Sequence, residues 1–209
     1  MTRRSAVSVL DMQNDISESV TTMDLRNGSI IVSVENGQQY AEQKNIKQQI
    51  SDLVVTTNND ETTNTLTIEG GTTAAKVTLH NVNIDASGAA VSVSGDVELI
   101  ISGTNTLQSG WGHAGVEKAD DNGTLTISGS GELKAYGGYW GAGIGGGQLA
   151  AGQNITIRDG NVTAIPGREA AGIGGGSRGD GKNITIEGGT VYAESGGGNG
   201  PAAAIGGGR

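Results

Sequence analysis

The sequence predicts an all-β fold, a right-handed parallel β-helix (a solenoid) with about three short strands per coil. The first observation is repetition. Gly141-Ala142-Gly143-Ile144-Gly145-Gly146-Gly147 recurs as Ala171-Gly172-Ile173-Gly174-Gly175-Gly176 and again as Ala204-Ile205-Gly206-Gly207-Gly208. Ile144 to Ile173 and Ile155 to Ile184 are each 29 residues apart, and Ile173 to Ile205 is 32, a period that belongs to solenoids and related arrays. The second observation is alternation: Ile155 and Ile157, then Val162 and Ala164, are separated by polar residues, the two-residue period of a strand with one buried face. The third is punctuation. Asp159-Gly160, Pro166-Gly167 and the triple glycines turn the chain about three times per repeat, and the hand follows from the strong right-handed preference of parallel crossovers.

A single repeat cannot fold by itself. Burying Ile155, Ile157, Val162 and Ile173 contributes about 1.5 to 3 kcal/mol each, while ordering the backbone costs roughly 1 to 2 kcal/mol for every residue of the repeat. Stacking closes the gap, because each coil then bonds to and packs on its neighbours. The expected inward set is Ile155, Ile157, Val162, Ile173, Ile184, Ile186 and Val191.

Taken in order, residues 1–20 read as a polar lead or attachment segment and residues 21–52 as an N-terminal strand and cap. After the Asn27-Gly28 turn, the run from Ser29 to Val34 is the first expected strand. Ile46, Ile50 and Leu53 have helical spacing, so residues 38–52 are read as a cap over the first coil with helix and strand both open. Regular coils are expected over 53–209. Leu66-Thr67-Ile68, Val77-Thr78-Leu79, Val82-Asn83-Ile84 and Val91-Ser92-Val93 alternate, and the spacings Val77 to Val97 (20), Val97 to Leu125 (28) and Leu125 to Ile155 (30) describe tight early coils and longer later ones. No polar cap follows Ile205, so the coils are expected to continue past Arg209 or to be covered by a partner, with end-to-end or side-by-side self-association as one way of doing so.

Composition narrows the function classes. The 209 residues hold 38 glycines, two prolines and no phenylalanine, and the glycines do not recur every third residue as in collagen. A net charge of -9 disfavours nucleic acid and anionic membrane surfaces, which reward clustered Lys and Arg. Without cysteine there are neither disulfides nor thiolate metal ligands. No stretch is long and apolar enough to insert in a membrane, and no apolar core follows Met1-Thr2-Arg3-Arg4-Ser5. The expectation is an extracellular or cell-surface protein whose export signal has been removed, or a virion protein released by lysis.

The order of motifs resembles a known group. Val77 to Asp85, Val97 to Leu107 and Gly123 to Gly131, followed by the Gly-Ala-Gly-Ile-Gly-Gly-Gly repeats, are similar to the carbohydrate-binding-domain-containing β-helix proteins of anaerobic, often gut, Firmicutes, which are pectate-lyase-like in fold. The similarity runs from about Met23 to Arg209. It implies a surface-displayed or exported β-helix that binds polysaccharide.

Candidate binding residues come from the chain itself. Trp111 and Trp140 are 29 apart, which predicts rings in register on neighbouring coils about 4.8 Å apart, with Tyr139 beside them. Such a face suits the C–H face of a pyranose in a polysaccharide or other glycan. His113 and Glu117, and Glu169 one coil beyond Trp140, are placed to hydrogen-bond hydroxyls. The alternative is a packing ladder that shields a glycine-rich corner. Thr65 and Thr67, Thr124 and Thr126, Asn154 and Thr156, and Asn183 and Thr185 suggest a polar ladder suited to ice, although β-branched threonine is favoured in any strand and asparagine breaks the array.

The triple glycines lack the Lys-Ser/Thr and helix of a phosphate loop. Loop Asp and Asn oxygens leave calcium open, but no loop has a ligand spacing, so neither cofactor nor metal site is expected. Catalysis by a β-helix lyase or glycosidase needs converging carboxylates. The pair Asp120-Asp121 would point oppositely in a strand, and no catalytic residue is assigned. A purely structural spacer or self-assembling solenoid remains the nearer rival to a binding or adhesin module.

Overall fold

The computed structural model describes residues 20–209 except Ala119, Asn199 and Pro201; the lead expected before Val20 lies outside the described residues. The chain winds through seven coils of a right-handed parallel β-helix with three faces. Face 1 holds Val20–Asp24, Asp52–Thr56, Ala75–His80, Val97–Ser102, Leu125–Ser128, Gly152–Ile157 and Gly181–Ile186. Face 2 holds Glu61–Thr62, Asn83–Asp85, Thr104–Gln108, Glu132–Tyr136, Asn161–Ile165 and Thr190–Ala193. Face 3 holds Ile30–Glu35, Leu66–Glu69, Val91–Ser94, Val116–Lys118, Ile144–Gly145, Ile173–Gly174 and Ile205–Gly206.

Inward residues form columns because side chains alternate while parallel strands stay in register. On face 1, Leu53, Val77, Leu99, Ile127, Ile157 and Ile186 stack on one another. On face 3 the column is Ile30, Leu66, Val91, Val116, Ile144, Ile173 and Ile205. Of the expected inward set, Ile155, Ile157, Val162 and Ile173 are fully buried. Ile184 and Val191 are partly buried against the core, and Ile186, though in register with Ile157, is 43% exposed. Each of these three stands in the last described coil, where a neighbour covers only one side.

Three expectations are corrected. Ala75, not Val77, pairs with Val97, so the early coil is two residues longer than the Val77-to-Val97 spacing. A slip of two keeps the same face inward, which is why alternation could not detect it. The parallel stack also reaches back to Val20–Asp24, which pairs with Asp52–Thr56. Finally, Thr67 belongs to face 3 and only Thr126, Thr156 and Thr185 stack together on face 1; the wider threonine array does not exist.

Residues 38–49 are a β-hairpin. Gln38–Gln43 pairs antiparallel with Ile30–Glu35, and Ile46–Gln49 pairs antiparallel with Gln38–Gln43. Asn36-Gly37 makes the first reversal with both residues at positive φ (52° and 77°), and Lys44 and Asn45 (53° and 62°) make the second, the turn geometry that matches strand twist. Ala41 and Ile50 are buried while Ile46 is exposed, so the helical spacing of Ile46, Ile50 and Leu53 has no common face behind it.

Candidate functional site

The aromatic residues sit at the corner between faces 2 and 3. Its linkers are residues 63–65, 86–90, 109–115, 137–143, 166–172 and 194–204 in successive coils, lengthening along the chain. The deciding local feature is a left-handed residue four positions before the face 3 column residues Val116, Ile144 and Ile173: Gly112 (φ 79°), Trp140 (φ 74°) and Glu169 (φ 60°). Gly112 thus occupies the position of Trp140, and Trp111 the position of Tyr139 and Arg168. Backbone bonding agrees, since the Gly112 N–H donates to the Tyr139 carbonyl at 2.9 Å.

Trp111 therefore stacks on Tyr139, with centroids 4.6 Å apart and planes within 16°. The expected Trp111–Trp140 register is corrected: these rings meet edge to face, 4.9 Å apart at 71°, and Tyr139 and Trp140 are tilted at 57° and 5.0 Å. Parallel rings this close can only lie face to face, because coplanar rings would need centroids about 7 Å apart. One face of Trp111 is thus taken by Tyr139. Trp111 is nonetheless 62% exposed and Tyr139 38%, for at the equivalent corner of the preceding coil stands the shorter linker 86–90. Trp111 occupies a step in the solenoid wall.

Arg168 continues the column on the other side. Its Nη1 donates to the Tyr139 hydroxyl at 3.0 Å, and its Nε lies 3.5 Å from Glu169 Oε1; the Tyr139 contact raises the guanidinium above its ordinary range. Arg168 was absent from the sequence expectations. The signal was there, 29 residues after Tyr139, but counting from the tryptophans hid it. The Glu169 side chain is mostly buried and sits below Trp140 in the left-handed column, not on the outer rim.

His113 and Glu117 meet on the other flank. His113 Nδ1 is 3.0 Å from Glu117 Oε2, which also accepts the Ala114 N–H at 3.0 Å. A carboxylate only accepts, so Nδ1 carries the proton and donates. Glu117 stacks in register with Gly145, beyond which come Gly174 and Gly206. The glycines are required there: at φ 133° for Gly174, an added Cβ would overlap the Gly206 carbonyl oxygen. Together with Gly112, Lys118 and Gln148, this pair lines a surface pocket of about 220 Å³.

Lys118 is a charged residue on the inward side of its strand. It holds an inward position in register with Val93 and is fully buried. Its ammonium donates to the Asp120 carbonyl (3.1 Å), the Asn122 carbonyl (2.6 Å) and the Asp120 carboxylate. Asp120 also accepts the Gly95 N–H at 3.1 Å. The Asp120-Asp121 pair lies in a loop, with Asp120 engaged in holding that loop and Asp121 exposed. Among the described residues no three His, Asp or Glu side chains gather as a metal-binding group.

Residues 125–148, 155–177 and 184–209 match a family model described as a beta helix repeat. No curated protein and no solved structure matches the chain. The matched segments span the last three coils and include Tyr139, Trp140, Arg168 and Glu169. Trp111, His113 and Glu117 precede them, so the step in the wall lies where the regular repeats begin.

Proposed function

We infer that this protein is a non-catalytic glycan-binding module built on a β-helix, an adhesin-type surface that acts outside the cell on a bacterial surface or a virion and works without a cofactor. The observation that carries this reading is Trp111, stacked on Tyr139 yet 62% exposed beside the short linker before it. A solvent-facing indole backed by a second ring offers an apolar face to a pyranose, and its polar neighbours His113 and Glu117 supply hydroxyl partners. The location outside the cell rests on where polymeric glycans are found. The non-catalytic reading is supported by the engagement of two of the nearest acids, Asp120 by Lys118 and Glu169 by Arg168.

The test is a glycan array on wild type and Trp111→Ala. Loss of the ring is expected to cost on the order of 1 to 2 kcal/mol of binding, about a tenfold weakening. Equal affinity of both proteins for the same glycans overturns the reading. Release of products from pectic, capsular or wall polysaccharides would overturn its non-catalytic part.

A further inference from the structure

We propose that the pocket beside Trp111 selects uncharged, hydroxyl-rich or amino-bearing sugar residues and rejects uronate, sulfated and phosphorylated ones. This rests on the glycan-binding reading and deepens it. With Nδ1 of His113 donating to Glu117, the neutral imidazole leaves Nε2 as an acceptor. Glu117 spends Oε2 on His113 and the Ala114 N–H, while Oε1 has no partner among the described residues. The Gln148 side-chain amide, whose backbone is fixed by its N–H donating to the Gly112 carbonyl at 2.7 Å, is likewise unpartnered there.

The one cation at the pocket is not available to a ligand. Lys118 is fully buried, and its ammonium is shared among two carbonyls and the Asp120 carboxylate. Its charge is balanced by Asp120, so the uncompensated charge facing the opening is the Glu117 carboxylate. A pocket whose free groups are two acceptors and one amide matches ligands that bring donors, namely hydroxyls, ammonium groups and amide N–H. Carboxylate, sulfate and phosphate groups bring only acceptors and a repelling charge, and a juxtaposed like charge acts chiefly against the wrong partner. Only Gly112 separates Trp111 from His113, so one sugar on the ring places its neighbour or its substituent at the pocket.

The experiment compares wild type, Glu117→Gln, Gln148→Ala and Trp111→Ala on matched pairs of neutral and uronate-bearing oligosaccharides at about pH 8. Wild type is expected to prefer the neutral member by about tenfold or more. Glu117→Gln keeps an acceptor for the Ala114 N–H and is expected to erase most of that preference. Gln148→Ala is expected to weaken neutral binding about tenfold at an unchanged melting temperature. If wild type binds the uronate member equally or better, or if Glu117→Gln leaves the preference intact while Trp111→Ala still weakens binding, the pocket proposal is overturned and the glycan-binding reading stands. If wild type binds no member of any pair, both fall.

Discussion

At the scale of single residues, two kinds of constraint hold this molecule: groups that must be satisfied and positions that admit no side chain. Lys118 is the first kind. Lys118→Met keeps the stem packed but strips the Asp120 carboxylate and two carbonyls of their donor, and the expected cost is about 1 to 3 kcal/mol, softened because Asp120 is partly exposed. Urea titration measures it, and an unchanged midpoint would show that the buried ammonium is dispensable. Gly174 is the second kind. Gly174→Ala forces a Cβ into the Gly206 carbonyl at a φ of 133°, whereas Gly88→Ala meets nothing within 4 Å and has no unusual φ. The first should be strongly destabilised and the second neutral or stabilised by up to about 1 kcal/mol. Similar melting temperatures for both would refute the stacking of these glycines.

At the scale of the element, the unit is the column, not the strand. Face 3 strands such as Ile144–Gly145 have two residues, too few to persist alone, and gain their order from parallel partners on both sides. Asparagine contributes a polar column of its own: Asn154 and Asn183, both left-handed at φ 56° and 51°, are linked by a 3.0 Å bond from Asn183 Nδ2 to Asn154 Oδ1, and Asn154 Nδ2 donates to the Asp121 carbonyl at 3.0 Å. Their left-handed backbone falls between paired residues of the two strands, which keep register on either side, Gly152 with Gly181 and Ile155 with Ile184. Ile155→Asp buries a charge without a partner in the middle of a column and is expected to abolish cooperative unfolding. A soluble variant that melts as wild type does would contradict the inward placement of Ile155.

At the scale of the whole molecule, additivity is the expectation. Deleting residues 152–180 removes one period and joins Ala151 to Gly181, the residue in register with Gly152. The shortened solenoid is expected to fold, with a smaller dependence of stability on denaturant because less surface is exposed; an unfolded product would show that the coils are not interchangeable. Acid should act through the surface carboxylates. Hydrogen bonds from Arg26 to Asp24, from Lys47 to Glu35 and from Lys182 to Asp180 hold these carboxyls below their ordinary range. A carboxyl depressed by folding adds stability in full above its unfolded value, near pH 4, and loses it as pH falls through the lower folded value. The melting temperature should therefore drop below about pH 4, less steeply in Asp24→Asn. A curve for Asp24→Asn that superimposes on wild type would remove this pair from the account, as screening of exposed pairs could allow.

The fold was legible in the sequence because a solenoid repeats its physics. One coil shows which positions alternate inward, and 29 residues later Ile173 and Ile184 say the same as Ile144 and Ile155. The hairpin at 38–49 was not legible, since its order comes from the antiparallel edge it lends to Ile30–Glu35 and not from its own period. The aromatic cluster was half legible: two tryptophans and a tyrosine stood out on a chain with so few aromatics, and the structure does bring all three together. Which ring faces which was decided only in three dimensions. The left-handed turn at Gly112 takes the place of Trp140, and that one-residue offset pairs Trp111 with Tyr139, brings Arg168 into the column and leaves one indole face open. Composition and spacing determine that coils stack. Backbone conformation at the corners determines what the stack displays, because a residue's φ sets the direction of its side chain and the sequence period does not.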